Sequence, residues 1–103
     1  MHDLALIFAG AFLCNSLPHL AIGLQGRPFP TPLATPRGVG DSSPFLNVLW
    51  GMTNLLAGLF LLAAHPVVVG VNLDFGLVIL GALVLGAYVS WHFSRVHAGR
   101  RRD

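Results

Sequence analysis

Twenty consecutive uncharged residues, FLNVLWGMTNLLAGLFLLAA from Phe45 to Ala64, constrain this chain more than any other stretch. As a helix, such a run reaches about 30 Å, the hydrocarbon thickness of a bilayer. Its few polar and small residues are not scattered. Asn47, Gly51, Asn54 and Gly58 recur at spacings of four, three and four, which confines them to an arc of about 60° on a helical wheel. The opposite face is Phe45, Leu49, Met52, Leu56, Phe60 and Ala63. That face suits lipid. The Asn/Gly stripe suits another helix, because small residues let backbones approach and side-chain amides bond across the contact. The spacing therefore predicts a packed transmembrane helix.

Composition points the same way. Only 10% of the 103 residues are charged and 54% are hydrophobic, whereas a soluble domain carries about 25% charge. All six basic side chains are arginine, and they lie outside the apolar runs. A basic balance of this kind sets membrane orientation and does not point to nucleic acid. Cys14 is the lone cysteine, so no internal disulfide forms.

The first span runs from about Leu4 to Leu24. It has no basic leader and is longer than the apolar core of a signal peptide, so a retained helix is expected. Asn15 and His19 share a face. Pro18 cannot donate to the carbonyl of Cys14, which predicts a kink, with Ser16 available for the freed group. The run Ser16-Leu17-Pro18-His19-Leu20 resembles a motif of the cytochrome-b anchor subunits of succinate dehydrogenase, which also have three spans. The resemblance covers five residues, and here they lie inside the span instead of before it, so no family assignment follows.

Residues 25–44 carry Pro28, Pro30, Pro32, Pro36 and Pro44. Proline fixes φ and holds its predecessor extended, so a stiff, polyproline-like connection is expected, either lying across the bundle mouth or presented to a partner. Ser43-Pro44 is a helix start, with serine as cap and proline at the first helical position. His65-Pro66 ends the second helix. Asn72 is a cap for the third, with Asp74 in its first turn.

The third span, about Leu73 to Ser94, carries two faces unlike lipid-facing surface. Asp74, Gly81, Tyr88 and His92 form one; Ala82, Gly86 and Ser90 form a small-xxx-small stripe. Burying both requires the third helix to sit between the other two, or a second protein to cover one. The basic tail, 95–103, is expected to fray.

Counting arginines orients the chain. The first loop has Arg27 and Arg37, and the tail has Arg95, Arg100, Arg101 and Arg102; the N-terminal end and the second loop have none. The positive-inside rule puts the N-terminus outside and the C-terminus in the cytoplasm of a bacterial inner membrane. Asn15, His19, Asn47, Trp50, Tyr88, Ser90 and His92 then share the inner half.

The expected fold is all-α: one integral membrane domain, 1–103, of three transmembrane helices (about 4–24, 45–64 and 73–94) with a proline-rich cytoplasmic loop between the first two. No span carries a central Asp, Glu, Lys or Arg, and no spacing suggests a metal site, so neither an enzyme nor a metalloprotein is expected. The leading expectation is a non-catalytic subunit of a larger membrane complex or homo-oligomer, surrounded by lipid, with Asn47, Gly51, Asn54, Gly58, Ala82, Gly86 and Ser90 as helix-packing or partner contacts. The alternative is a small-molecule role: a haem or quinone site formed by Asn15, His19, Tyr88 and His92, or an oligomeric pore.

Overall fold

The computed structural model describes the backbone of residues 1–102 and the side chains through Arg100. Three helices account for most of it: α1, His2–Gly23; α2, Pro44–Ala64; and α3, Leu73–Arg102. All three are long and apolar enough to cross a membrane. Two-residue strands β1, Phe29–Pro30, and β2, Asp41–Ser42, pair antiparallel within the connection between α1 and α2, with Phe29 opposite Ser42. The molecule is a rod of 47 × 24 × 22 Å.

The helix ends follow from local chemistry. Ser43 caps α2, its hydroxyl accepting from the Leu46 N–H at 3.2 Å, with Pro44 following as a residue whose N–H is not needed. Asn72 Oδ1 accepts from the Phe75 N–H at 2.8 Å and so caps α3. α1 continues through Pro18 as one helix. Ser16 there donates to the Leu13 carbonyl at 2.6 Å, not to that of Cys14. The reason is the ordinary back-bonding reach of a helical serine, which returns to the preceding turn.

The middle of the bundle is α1, not α3. α1 packs against α2 and α3, which scarcely touch each other. Against α2 it runs antiparallel. The buried residues of α2 are Asn47, Gly51, Asn54 and Gly58, and Phe45, Leu49, Met52, Leu56, Phe60 and Ala63 are all exposed. A Cβ on Gly51 would stand 2.7 Å from Leu20, and one on Gly58 2.7 Å from Leu13.

Against α3, α1 runs parallel, and the contact is closer still. A Cβ on Gly10 would overlap the Val78 carbonyl, and one on Gly81 the Ile7 carbonyl. Two main chains meet there with no side chain between them. The side of α3 that meets α1 takes in most of the expected Asp74/Gly81/Tyr88/His92 face, since Gly81 meets the Ile7 main chain and Asp74 pairs with His2, but it is rotated towards the other stripe. Along it Val78, Gly81 and Val96 are buried and Leu85, Val89 and His92 are half-buried. Tyr88 and Ser90, one from each expected face, are exposed. Apolar bulk at Val78, Leu85, Val89 and Val96 fills the groove beside α1, and that decides the rotation of the helix.

Two further expectations are corrected. The connection is not a simple extended strap. It folds back onto the bundle and buries Phe29, Pro30, Thr31, Ala34 and Ser42, with a 2.6 Å hydrogen bond between the Thr31 and Ser42 hydroxyls. The chain after residue 94 is helical to Arg102 and holds the connection down. Arg100 pairs with Asp41 at 2.9 Å and also donates to the Val39 carbonyl, while Val96 is buried. Those contacts supply the ordering that the isolated basic tail lacks.

Candidate functional site

The folded-back connection is fastened by two histidines and an asparagine. Asn47, on the first turn of α2, is fully buried. Its amide nitrogen lies 2.9 Å from the Phe29 carbonyl and 3.1 Å from those of Ser42 and Ser43, so it ties both strands to the helix. Its Oδ1 is 2.8 Å from His19 Nδ1. An amide oxygen only accepts, so His19 carries its proton on Nδ1, and Nε2 is left as an acceptor with no hydrogen-bond partner among the described residues. One turn towards the middle, Asn15 Nδ2 donates to Asn54 Oδ1 at 3.0 Å, and Asn54 donates to the Trp50 carbonyl at 2.8 Å. On the other side, His92 Nε2 and the Gly38 carbonyl are 2.7 Å apart. Gly38 has φ of +69°, a backbone conformation that disfavours a side chain.

These contacts leave a cavity of about 360 Å³ between the three helices and the connection. Asn15, His19, Tyr88 and His92 all line it, together with Trp50, Arg37 and Phe93. Five of its lining residues, His19, Trp50, Tyr88, His92 and Phe93, carry flat rings. Tyr88 and His92 stack with centroids 6.1 Å apart and 10° between planes. His19 meets Trp50 edge-on at 6.4 Å, and meets Phe29 and Phe93 at 5.5 and 6.5 Å.

One polar atom is left over. Trp50 Nε1 is buried with no acceptor among the described residues. A buried donor without a partner costs about 1–3 kcal/mol, and native structures rarely leave one without a reason. The lining of this cavity thus brings His19, Trp50, Tyr88 and Arg37 together, while the Trp50 Nε1 itself is enclosed by the protein.

Sequence reasoning selected Asn15, His19, Tyr88 and His92 by depth. It placed Trp50 in the same inner half without giving it a role, used Arg37 only for orientation, and did not select Phe93 or Gly38. The position of Trp50 three residues after Asn47 was a usable signal. For the connection there was none, since its proline spacing does not indicate which residues turn inward.

A haem between two histidines fits poorly here. His19 is enclosed by Phe29, Trp50 and Phe93, and its Nδ1 is bonded to Asn47. The His92 ring also packs on Phe93, at 5.1 Å, with Nε2 engaged by Gly38. Neither imidazole is presented towards a space that would take a macrocycle.

The packing residues fall in other places. Asn47, Gly51, Asn54 and Gly58 lie against α1 within the chain. Gly86 and Ser90 border a separate groove of about 490 Å³ beside Cys14 and Pro18 of α1, and Ala82 stands near Gly10. Comparison with protein-family models, with curated proteins and with solved structures finds no match to this chain.

Proposed function

We propose that this chain is a small, non-catalytic integral membrane protein that holds an amphipathic, carbonyl-bearing ring molecule of the quinone class in the cavity beneath its proline-rich connection. The observation that carries this reading is the cavity lined by His19, Trp50, Tyr88, His92 and Phe93, with the unpartnered Trp50 indole N–H enclosed beside it; a rotation of the indole presents that donor to a ligand. A ring carbonyl accepts from Trp50 or Tyr88, the flat head lies among Trp50, Tyr88, His92 and Phe93, and an apolar tail leaves towards lipid. Such sites are mostly apolar with a few placed polar groups. The connection and the C-terminal end of α3, which together carry all the arginines, face the cytoplasm of a bacterial inner membrane.

Intrinsic fluorescence tests the proposal. In a Trp91→Phe background, Trp50 is the only indole. Titrating the purified protein in nanodiscs with a short-chain benzoquinone is expected to quench it to saturation at one molecule per chain. Tyr88→Phe and Arg37→Gln are expected to weaken binding at least threefold. Linear, unsaturable quenching that is the same in all three proteins would overturn the reading.

A second reading, a subunit within a larger membrane assembly or homo-oligomer, is supported by the groove along Gly86 and Ser90. It lies next to the α1 contact and is open on its far side. Native mass measurement in mild detergent separates the two readings. An assembly much larger than 11.0 kDa supports the subunit reading, and a monodisperse monomer that binds quinone rules it out.

A further inference from the structure

At the end of the bundle opposite the connection, three helix ends bring together side chains that no sequence spacing links. α1 contributes His2 and Asp3, and α3 contributes Asp74 from its first turn; His65, which closes α2, stands alongside. One ligand atom from each of His2, Asp3 and Asp74 lies within 4.8 Å of the others. His2 Nε2 is 3.3 Å from Asp74 Oδ2. Two donors on one tetrahedral zinc, each bound at about 2.0–2.1 Å, stand roughly 3.3 Å apart.

The other nitrogen of His2 is also engaged. His2 Nδ1 lies 3.0 Å from His65 Nδ1, with ring centroids 5.1 Å apart. One of these two nitrogens must carry the proton. A histidine that ligates a metal through one nitrogen characteristically donates the other N–H to an orienting acceptor. Here the His65 Nδ1 lone pair takes that place, which frees His2 Nε2 to face the two carboxylates.

We propose that His2 Nε2, Asp3 and Asp74 bind a divalent transition-metal ion, with His65 positioning His2. One imidazole and two carboxylates suit Zn²⁺ or Mn²⁺, and their two negative charges match the ion. The His2 and Asp74 side chains are 47% and 41% exposed, so an ion reaches them and water completes the coordination. The ion joins the start of α1 to the start of α3 and, through His65, to the end of α2. It thus ties together α2 and α3, which scarcely touch elsewhere. A ligand that binds only the folded chain stabilises it.

The test uses the full chain, purified in detergent without a histidine tag and stripped with chelator. Calorimetric titration with ZnCl₂ is expected to show one ion per chain and to raise the melting temperature. Asp74→Asn and Asp3→Asn are expected to weaken binding at least tenfold. His65→Ala should weaken it about 10–100-fold, and His97→Ala, at the far end, should leave it unchanged. Melting of each variant without metal reports whether it has folded, and Mn²⁺ paramagnetic resonance gives a second readout. Absence of saturable binding, or equal binding by wild type and both aspartate variants, would overturn the proposal. So would a melting temperature that responds to pH and not to Zn²⁺, since that identifies a protonated His2 bridging Asp74 and His65.

Discussion

Asn47 joins four groups from three segments although no part of it reaches the surface. No other side chain of similar size and reversed polarity replaces it. Aspartate has no N–H for the Phe29 and Ser42 carbonyls, and leucine satisfies neither them nor His19. Asn47→Ala is therefore expected to destabilise the protein by about 1–3 kcal/mol and to loosen the connection, measured by thermal unfolding and by proteolysis within residues 25–43. Asn54→Leu removes a single interhelical bond, from Asn15, and should cost about 0.5–2 kcal/mol. If the two variants lose equal stability, Asn47 is not the anchor of the connection. The sequence placed both asparagines on one stripe. Their partners could not be read from it, because either amide can reach either polar residue of a neighbouring helix until the register of α1 on α2 is set.

Element by element, glycine marks where helices touch, but not equally. Gly81 and Gly10 admit no Cβ, since main chain already occupies the space. Gly86 would set a Cβ 3.5 Å from Cys14 Sγ, an ordinary contact. Gly81→Ala is thus expected to cost about 1–3 kcal/mol through overpacking, whereas Gly86→Ala should be nearly silent. On α2, Gly51→Leu should separate α1 from α2, and Leu56→Ile, on the exposed face, should change little. Thermal unfolding across this set checks the ranking, and a Gly86→Ala loss equal to that of Gly81→Ala would show the contact is wrongly placed. The α2 contact face was legible because its polar and small residues are few and stand alone among large apolar ones. The α3 face was legible only in part, at Asp74 and Gly81. Glycine and alanine occur all round that helix, so the valine and leucine positions that meet α1 carry no distinguishing mark.

For the whole molecule, polarity is divided by ends. Arg27, Arg37, Arg95 and Arg100 stand at the end that carries the connection, and His2, Asp3, His65 and Asp74 stand at the other. With Cys14 replaced by serine, cysteines at Thr35 and Ala98 are expected to react with an impermeant reagent only from the cytoplasmic side, and one at Val69 only from outside. Labelling of the Val69 position from the cytoplasm would reverse the orientation.

Three apolar runs with arginine at one end were enough to set the number of long helices, their approximate limits and the shared end of the first loop and the C-terminus. Those properties depend on local composition and on run length against bilayer thickness, which a linear chain displays directly. The tertiary structure decided the rest: α1 in the middle, the connection folded inward, the cavity beside Trp50, and the meeting of His2, Asp3, His65 and Asp74. Each of these joins residues from separate elements. Such contacts depend on which helix sits centrally and how each is rotated. Those choices are made by volume, through Gly10 against Val78, Gly81 against Ile7 and valine beside α1, and volume has no period in the sequence.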